Sequence, residues 1–376
     1  MPVLDLLVGS PIKRTPRVLQ LEGLFEIPPT KRSEQAWKVS LPIEGLDWNI
    51  GLIVGPSGSG KSTVARELFA EHLVTGYPWP GDKALIDGFP AGMSIKEITA
   101  LLSSVGFSSP PSWLRPYRVL STGEQFRATI ARALAELPEL AVIDEFTSVV
   151  DRQVAQIGSA AVAKAVRRRK QKLIAVTCHY DVADWLQPDW VLEMPSGKFT
   201  RRSLQRRPEI QLEIVRVHRS AWELFKQHHY LNTSLHVTAK CFVAFAGDIP
   251  AAFASAIHMP SRANRTGWRE HRTVCLPDFQ GVGIGNALSE FLAGVMRATG
   301  KPYYSVTSNP AMILHRARSP LWHMHRRPKR SSMQNGALTR RNLRHINDTM
   351  ALGRLVAGFR YVGPPRIEDA KRFGII

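Results

Sequence analysis

A glycine-rich loop near the start of the chain could bind the phosphate groups of a nucleotide. Its residues fit the pattern G-x-x-x-x-G-K-[ST] at every specified position, between an apolar run at 51–54 and a segment typical of a helix. Glycines let the backbone curl so that successive N–H groups point inward, and the helix N-terminus adds a favourable dipole. In such loops the lysine contacts the β- and γ-phosphates and the hydroxyl contacts Mg²⁺. We therefore expect a site for a nucleotide and Mg²⁺ at Gly55, Pro56, Ser57, Gly58, Ser59, Gly60, Lys61, Ser62 and Thr63.

Two adjacent carboxylates, Asp144 and Glu145, follow the apolar run 140–143. A run this apolar is typical of a central strand of a parallel sheet, and ligands bind at the carboxyl ends of such strands. We expect Asp144 to hold Mg²⁺ through water, and Glu145 to orient and polarise the attacking water of a hydrolysis reaction. Two acids at a strand end can also form a simple turn that caps a helix, but the phosphate loop upstream favours the catalytic interpretation.

A series of motifs in a fixed order resembles the ABC-type ATPases. The segment 120–125, LSTGEQ, resembles the ABC signature and lies between the phosphate loop and the acidic strand, as in that family. Residues 147–151 stand where the D-loop stands, and His179, after the apolar run 173–176, resembles the switch histidine. The resemblance covers about residues 20–200 and implies an α/β P-loop ATPase that binds ATP. It also implies that a dimer sandwiches ATP, with contacts to the partner's ATP from Ser121, Gly123 and Glu124.

The segment between the phosphate loop and the signature departs from the family pattern. Residues 105–109, VGFSS, occupy the place of the Q-loop and contain no glutamine, so a serine would have to substitute or hydrolysis would be slow. Only a short proline-rich stretch, 109–119, then leads to the signature. ABC transporters have a larger helical subdomain there, which docks on the membrane partner, so this argues against a transporter subunit. The candidates for an aromatic residue that stacks on adenine are Phe25 and Trp37, and either could be a core residue.

The composition limits the class of protein. The 376 residues are enough for two domains of ordinary size, and no apolar stretch is long enough to cross a bilayer. The N-terminus lacks the basic and then apolar layout of a secretory signal. Three widely spaced cysteines, Cys178, Cys241 and Cys275, favour reduced thiols. We therefore expect a cytoplasmic protein without a membrane partner.

Positive charge is concentrated in the second half of the chain. Residues 1–205 hold 24 Lys and Arg against 21 Asp and Glu, whereas residues 206–376 hold 26 against 10. This excess is typical of a protein that binds a polyanion, and interspersed aromatic rings could stack on bases, so we expect a nucleic acid partner. A solvated basic face, or a site for the phosphates of a cofactor, would explain the same charge. The basic segments are Arg206-Arg207, 262–272, Arg316, Arg318, 326–330 and Arg340-Arg341, and the aromatic residues are Trp268, Tyr303, Tyr304 and Trp322.

A polar and basic segment at 203–208 predicts the boundary between two domains, 1–205 and 206–376. Beyond it, alternation of apolar residues and turn signals predicts a mixture of strands and helices. We expect strands near 210–217, 235–245, 251–258, 273–277, 303–307 and 355–362, and helices near 221–229 and 286–299.

The segment 280–285, QGVGIG, lies between a predicted strand and a predicted helix. It resembles motif A of the GNAT acyltransferases, and the resemblance covers about residues 210–365. It implies an α+β domain with a mixed central sheet, in which an N–H of the fourth strand near Leu276 steadies the oxyanion. Glycines that only permit tight packing are the alternative. The resemblance implies that acetyl-CoA, or another acyl-CoA, binds through its pyrophosphate to Gln280, Gly281, Val282, Gly283, Ile284 and Gly285.

Two adjacent histidines and a tyrosine, His228-His229-Tyr230, follow the predicted helix 221–229, where GNAT proteins bind their acceptor. We expect His229 to act as base and Tyr230 as acid in acylation of an amine. The group loosely resembles the Mom-like, DNA-modifying branch of the GNAT fold. A purely structural role is the alternative. His236 and His258 could join a metal site, but no carboxylate or cysteine spacing supports one.

Taken together, the motifs predict an ABC-type ATPase fused to a GNAT-like acyltransferase. ATP-driven dimerisation would position a nucleic acid whose amine accepts the acyl group. A second hypothesis is an ATP-gated clamp in which the GNAT-like half binds nucleic acid without catalysis. A protein or small-molecule N-acetyltransferase and a transporter ATPase subunit are the remaining alternatives.

Overall fold

A computed structural model of the chain describes residues 3–28, 32–201, 209–229, 234–259, 267–330 and 355–376. Its contacts divide the chain into two compact units. The first unit comprises 1–77, 136–149 and 165–207, and the second comprises 78–135, 150–164 and 208–376. The segments around the signature therefore belong to the same unit as the C-terminal half. The predicted boundary at 203–208 lies outside the described residues, so the domain division 1–205 and 206–376 stays a prediction.

The described residues contain both strands and helices. The strands are β1 (Val3–Pro11), β2 (Arg32–Ser40), β3 (Ile50–Val54), β4 (Leu73–Val74), β5 (Leu140–Ile143), β6 (Lys172–Thr177), β7 (Trp190–Glu193), β8 (Lys198–Arg201), β9 (Glu213–Val217), β10 (Lys240–Ala246), β11 (Ile249–Met259), β12 (Gly267–Cys275), β13 (Tyr303–Thr307), β14 (Trp322–Arg330) and β15 (Leu355–Tyr361). The α-helices are α1 (Pro16–Phe25), α2 (Lys61–Phe69), α3 (Ile95–Ser104), α4 (Pro110–Trp113), α5 (Thr122–Glu136), α6 (Arg152–Arg169), α7 (Val182–Leu186), α8 (Ile284–Arg297), α9 (Pro310–Arg318) and α10 (Ile367–Arg372). Within these residues no helix combines the length and apolar character needed to cross a bilayer.

The first unit is built on a six-stranded sheet in the order β4-β5-β6-β3-β7-β8. The first five strands in that order run parallel, and β8 pairs with β7 in the antiparallel direction. All five residues of β3 are buried, which explains its uninterrupted apolar sequence. The strands β1 and β2 form a separate antiparallel pair. Because the central strands are parallel, their carboxyl ends meet at one edge of the sheet, where the loops that follow β3, β5 and β6 begin.

The second unit contains a seven-stranded sheet in the order β14-β15-β13-β12-β11-β10-β9. Strands β9 to β12 are antiparallel neighbours, whereas β12 and β13 are parallel. That parallel pairing extends over only two residue pairs, Trp268 with Tyr303 and Arg269 with Tyr304, after which the strands separate. The amphipathic helix α8 buries residues such as Leu288 and Leu292 in the core of this unit.

Several predicted elements differ from those observed. The segment 221–229 forms two 3₁₀ helices, Arg219–Leu224 and Lys226–His228, instead of one α-helix. Its buried residues, Trp222 and Phe225, are three positions apart, and a 3₁₀ turn brings such positions onto one face. Of the strand predicted at 273–277, residues 273–275 are the end of the longer β12, which begins at Gly267 among polar residues, whereas Pro277 begins a 3₁₀ helix. The strand predicted at 303–307 is confirmed as β13.

Candidate functional site

The phosphate loop connects β3 to α2 and has the curled backbone that its glycines permit. Gly58 and Gly60 adopt positive φ angles of 77° and 90°, which disfavour any other residue. The ammonium group of Lys61 is buried and donates a hydrogen bond to the carbonyl oxygen of Pro56 at 2.6 Å. The hydroxyl of Ser59 is buried without a hydrogen-bond partner among the described residues. A phosphate oxygen in the loop could satisfy such donors, so the residues fit a bound nucleotide.

The two aromatic candidates for adenine stacking differ in their surroundings. Trp37, on β2, is buried and packs against the phosphate loop. Its indole ring lies so close to Gly60 that a Cβ atom there would be 2.4 Å from the ring. Phe25, on α1, is 70% exposed. Trp37 therefore forms part of the wall of the loop and Phe25 does not contribute to the core. The role of either ring toward adenine stays a prediction.

Asp144 lies directly after β5 and meets the first residues of α2. The hydroxyl of Ser62 donates to its Oδ1 at 3.0 Å, and the backbone N–H of Glu145 donates to the same oxygen at 2.9 Å. Ser62 and Asp144 thus place two oxygen donors side by side, and their role as Mg²⁺ ligands stays a prediction. Glu145 is exposed and, like Thr147, has a left-handed backbone, with φ angles of 51° and 67°. Left-handed backbone at residues other than glycine is costly and concentrates at functional sites.

His179 follows β6 and reaches the same sheet edge as the acids. β6 pairs with β5 through Ala175 and Ile143, and with β3 through Thr177 and Val54. The His179 N–H donates to the Thr177 hydroxyl at 3.2 Å, which fixes the turn after the strand. The structure therefore brings the phosphate loop, the two acids and His179 to one edge of one sheet. Their catalytic roles stay predictions.

The signature segment forms the N-terminus of α5. The Ser121 hydroxyl accepts a hydrogen bond from the Glu124 N–H at 3.3 Å, and the Glu124 carboxylate accepts one from the Ser121 N–H at 3.0 Å. This reciprocal arrangement is a capping box. Glu124 is buried, and its other oxygen accepts from the Ser112 hydroxyl at 2.7 Å. Glu124 therefore has a structural function at the helix start, and its predicted contact with ATP stays untested.

The loop 277–281 packs closely against the signature helix and the segment 105–109. Gly106 and Gly281 have φ angles of 88° and 89°, and a Cβ atom at Gly281 would lie 2.6 Å from the Gly106 Cα. The Gln280 side chain accepts a hydrogen bond from the Ser108 N–H and donates one to the Cys275 carbonyl at 2.8 Å. Gln280 and Gly281 are therefore used in packing, which is the alternative that the sequence left open for these two positions.

The second half of the predicted cofactor loop has different surroundings. Gly283 is exposed with a φ of 103°, and a Cβ atom there would have no neighbour within 4 Å. It is the N-cap of α8, a helix of 14 residues. Val282 and Gly285 are half-buried, and Ile284 is buried in the core. Open space beside the N-terminus of a helix suits an anion such as a pyrophosphate.

A buried arginine joins the signature helix to the loop 277–281. Arg127 on α5 is fully buried and donates to the Asp278 carbonyl at 2.7 Å and to the Asp278 carboxylate at 3.3 Å. Burial lowers the pKa of Arg127, and the carboxylate of Asp278 opposes that shift. The same carboxylate lies over Gly123, where a Cβ atom would be 2.5 Å from it. A side chain at Gly123 would therefore disrupt this junction.

The predicted acceptor residues are only partly described. His229 is buried, with its ring 5.5 Å from the ring of Trp222, while Tyr230 lies outside the described residues. The oxyanion prediction near Leu276 is wrong for that residue itself. Its N–H donates to the Ala251 carbonyl at 2.9 Å, because the pairing of β11 with β12 continues to that point.

A histidine that the sequence interpretation missed, His271, lies on β12 near His236. Its Nε2 accepts a hydrogen bond from the His236 N–H at 3.1 Å, so the ring proton of the neutral form is on Nδ1, which is buried without a partner among the described residues. Burial first, then Arg272, Arg269, His236 and His229, lower the pKa of His271 to about 3. His271 is therefore a neutral donor at physiological pH. In the sequence it was hidden inside a segment interpreted only as basic.

A buried ion pair holds α8, α9, β12 and β13 together. Arg316 donates to the Glu270 carboxylate at 2.9 Å, and both side chains are almost inaccessible to solvent. The hydroxyls of Thr273 and Ser289 each donate to Glu270 at 2.7 Å, and that of Ser305 completes the set. Although burial alone would raise the pKa of Glu270, Arg316 and these hydroxyls hold it below its usual value.

This ion pair corrects part of the predicted nucleic acid surface. Arg316 is buried and stacks on the Trp322 ring at 4.3 Å, so neither residue is available to a partner. Tyr303 is also fully buried. The exposed members are Arg318, Arg326, Arg327 and Lys329. Arg206-Arg207, 262–266 and Arg340-Arg341 lie outside the described residues.

Metal sites of the histidine and cysteine type are not found in the described part of the chain. Those residues contain no group of three or more His, Cys, Asp or Glu that could hold a metal ion. His258, once a candidate ligand, lies 3.3 Å from the Lys301 ammonium instead.

Comparison with known proteins yields relatives for part of the chain, and no family model matches it. The Fe(3+) ions import ATP-binding protein FbpC of Serratia marcescens is 30% identical over 40% of this chain and 53% of its own length. The energy-coupling factor transporter ATP-binding protein EcfA1 of Geobacillus kaustophilus is 25% identical over 48% of this chain and 76% of its own length. Thus the chain spans about half of the first relative and three quarters of the second.

A solved structure gives a further likeness. The dimeric ATP-binding cassette MJ0796 bound to ADP and Pi is 18% identical and covers 45% of this chain and 94% of its own, with a TM-score of 0.37. The curated relatives and the phosphate loop together support one conclusion. This chain contains an ABC-type ATPase nucleotide-binding domain of the P-loop class.

Proposed function

We propose that the chain couples its ABC-type ATPase to acyl-CoA-dependent acylation of an amine. The observation that carries the second activity is the separation of β12 from β13 beside the open N-terminus of α8. The two activities in this proposal are argued from different parts of the chain. ATP binding depends on the sheet edge in the first unit, and acyl transfer depends on the C-terminal sheet.

The ATPase half has side chains suited to each task of phosphate chemistry. Lys61 would neutralise the β- and γ-phosphates, while Ser62 and Asp144 would hold Mg²⁺, which adds positive charge beside the leaving phosphate. Glu145 is exposed at the edge of the sheet and would orient the attacking water. His179, at the same edge, would contact the γ-phosphate side of the site. The short distance from Ser62 to Asp144, 3.0 Å, supports this assignment.

ATP-dependent dimerisation should follow from the position of the signature. Ser121 precedes α5 and Gly123 lies in its first turn, and polar groups at a helix N-terminus attract phosphate. In the ABC pattern those groups bind ATP held by the other subunit. We therefore expect each chain to contribute a phosphate loop to one site and a signature to the other. This partnership is a homodimer closed by two ATP molecules.

Replacement of Glu145 by Gln should trap this dimer, because ATP still binds while water is no longer activated. Light scattering after size-exclusion chromatography with ATP and Mg²⁺ should give twice the 42.0 kDa monomer mass. The matched control is Glu139→Gln, which changes another exposed glutamate and should behave as wild type. An E145Q protein that binds ATP and stays monomeric would contradict the proposed dimer.

The C-terminal sheet supports the acyltransferase half by its topology. A parallel pair that separates after two residue pairs leaves a wedge between β12 and β13, and β15 is inserted between β13 and β14. GNAT-like enzymes seat the thioester of acyl-CoA in such a wedge. Gly283 caps the helix that follows β12, so the pyrophosphate of the cofactor would bind at its N–H groups.

The reaction at this wedge requires one bond to form and one to break. The nitrogen of the acceptor amine bonds to the thioester carbon, and the carbon–sulfur bond breaks to release CoA as its thiol. The amine loses one proton, which His229 would accept, and the thiolate gains one. His271 is neutral and carries a proton on Nδ1, so it can donate a hydrogen bond but cannot supply a charge.

The first half of the cofactor loop favours this function over that of a transporter subunit. In transporter ATPases the region before the signature docks on a membrane partner. Here the segment 105–109 is covered by Gln280 and Gly281 of the same chain. The C-terminal half therefore occupies a surface that a membrane partner would need.

Nucleic acid is the acceptor class that the charge favours. The C-terminal half carries 26 Lys and Arg against 10 Asp and Glu, far more than the phosphates of one CoA require. The acceptor would be an exocyclic amine of an unpaired or flipped base. Two alternatives keep the same fold: a non-catalytic clamp on nucleic acid, and an N-acetyltransferase that acts on a protein or a small molecule.

Calorimetric titration of the full chain with acetyl-CoA tests the acyltransferase proposal. Gly283→Ala should weaken binding at least about tenfold, because a Cβ at a φ of 103° is strained and enters the space where the pyrophosphate would bind. Gly300→Ala is the matched control. Gly300 also has a positive φ, 76°, and open surroundings, but it lies beyond the other end of α8.

Three outcomes separate the alternatives. Weaker binding by G283A alone supports the proposed cofactor site. Absence of acetyl-CoA binding by the folded wild-type chain removes the acyltransferase and leaves the clamp. Equal losses in G283A and G300A would mean that backbone strain, and not the site, accounts for the effect, and this too would contradict the proposal.

A further inference from the structure

The outer face of three neighbouring strands in the C-terminal sheet presents an unusual set of side chains. Tyr304 on β13 pairs in register with Arg360 on β15, and Arg360 pairs with His323 on β14. Since paired residues point to the same face, these three side chains form a row across the sheet. Arg360 and His323 are exposed, and Val306, two residues from Tyr304, is 49% exposed. This face is called the β13–β15–β14 platform below.

The opposite face of the same strands is buried, so the platform has a defined orientation. Tyr303, Phe359 and Trp322 alternate with the residues of the row, and all three belong to the core beneath α8. The buried ion pair between Glu270 and Arg316 lies on that inner side. The sheet therefore fixes the outer row rigidly, because its backbone is held by strand pairing and by a packed core.

The charge of the platform has a single sign. The strands β13, β14 and β15 contain no Asp or Glu, while β14 alone exposes Arg326, Arg327 and Lys329. A surface that serves only for solubility usually intersperses both signs. Basic residues confined to one edge of a sheet, with no acid among them, match a chain of phosphates.

Aromatic rings lie among these cations. The rings of Tyr304 and His325 pack edge to face with centroids 5.7 Å apart, so the tyrosine ring is held in place. Rings exposed on the face of a sheet stack on bases that are not paired, because every unpaired base offers a π-face. A duplex hides these faces, and reading it requires an element that enters a groove. A sheet face that carries such rings therefore favours a single strand.

We propose that the β13–β15–β14 platform binds single-stranded nucleic acid. Arg326, Arg327 and Arg360 contact phosphates, and Tyr304 stacks on a base. The inference rests on the proposed function in one respect only, because it names the surface that would hold the acceptor nucleic acid. DNA and RNA share the chemistry that the platform recognises, so both are tested.

Fluorescence anisotropy of the full chain with labelled 20-nucleotide oligo-dT, oligo-U and a 20-bp duplex tests the platform. ATP and acyl-CoA are left out, so the result does not depend on either catalytic half. We expect the wild type to bind a single strand more tightly than the duplex, with affinity falling steeply between 50 and 200 mM salt. R326Q/R327Q should weaken binding about tenfold or more and reduce the salt slope by about two.

The two kinds of contact should respond differently. Tyr304→Ala should weaken single-strand binding about tenfold without a change of salt slope, because stacking releases no counterions. Tyr304→Phe keeps the ring and should bind as wild type, which separates stacking from a folding defect. The matched controls are R17Q/R168Q and Tyr180→Ala, which change exposed residues of the same types elsewhere.

Several results would overturn the platform. They are absence of binding to both oligonucleotides at 50 mM salt, losses in the platform variants no larger than in the controls, and a duplex preference that Y304A leaves intact. Its failure is distinct from failure of the acyltransferase. If the platform fails while Gly283-dependent CoA binding holds, the acceptor is not nucleic acid. If CoA binding fails while the platform holds, the clamp remains.

Discussion

Removal of Arg316 should lower the free energy of unfolding, because the buried carboxylate of Glu270 then has no ion-pair partner. In Arg316→Met the methionine retains much of the volume, but the ion pair at 2.9 Å and the stacking on Trp322 at 4.3 Å are lost. Loss of one partner from a buried pair typically costs about 3–5 kcal/mol. The remaining hydroxyl donors offset part of that loss. We therefore expect R316M to lower the free energy of unfolding by about 3 kcal/mol at pH 7.5.

The pH dependence of this loss has a definite sign. In the wild type the pKa of Glu270 is lowered, so its contribution to stability is present above the pKa of the unfolded chain and is lost as pH falls through the folded value. In R316M, burial without the arginine should raise that pKa above its unfolded value. The charged form then costs stability at pH 7.5, and protonation relieves the cost as the pH falls toward 5.

Hydrogen exchange measured by mass spectrometry on peptides from β12 and β13 reports the loss of stability around Glu270 at each pH, after correction for intrinsic exchange rates. A loss of about 3 kcal/mol corresponds to protection reduced by about two powers of ten. Arg318→Gln, on the same helix but exposed, should change protection little. The double variant E270Q/R316M should recover most of the loss at pH 7.5. If R316M and the double variant are equal at both pH values, the carboxylate is not the source of the cost.

Two further predictions concern the packing and the titration of the C-terminal unit. Gly281→Ala should lower the melting temperature more than Gly247→Ala does. Both glycines have a positive φ, but only a Cβ at Gly281 would meet backbone, 2.6 Å from the Gly106 Cα. Equal shifts of the melting temperature in calorimetry would refute the close packing. The NMR chemical shifts of the His271 imidazole should stay constant from pH 5 to 8, because its pKa is lowered to about 3. A titration of this ring near pH 6.5 would show that it is not buried as described.

Local patterns identified the phosphate loop and the acidic strand because each depends on residues close together in sequence. The spacing from Gly55 to Ser62 fixes a loop by itself, and the apolar run before Asp144 is long enough to predict a buried strand. β13 was found for the same reason. In these cases the chemistry and the element that positions it lie within about ten residues.

The face of the sheet on which each side chain lies was harder to predict than the strands and helices themselves. Tyr303 and Tyr304 are adjacent, and a strand directs one inward and the other outward, so only the neighbouring strands decide which is exposed. The insertion of β15 between β13 and β14 is a long-range fact that no local pattern contains. Arg316 was interpreted as a surface charge because its partner, Glu270, lies far away in sequence.

The two glycines where the segment 105–109 meets the loop 277–281, Gly106 and Gly281, also constrain how this sequence can change. A Cβ atom at Gly281 would lie 2.6 Å from the Gly106 Cα, and a Cβ atom at Gly106 would lie 2.7 Å from the Gln280 carbonyl oxygen, so neither position can accept a larger residue while the facing backbone stays in place. Substitutions at Gly106 and Gly281 are therefore not independent, although the two positions lie in different halves of the gene product. A chimera that joins this ATPase to the C-terminal half of another protein should fold well only if both contacts are inherited together.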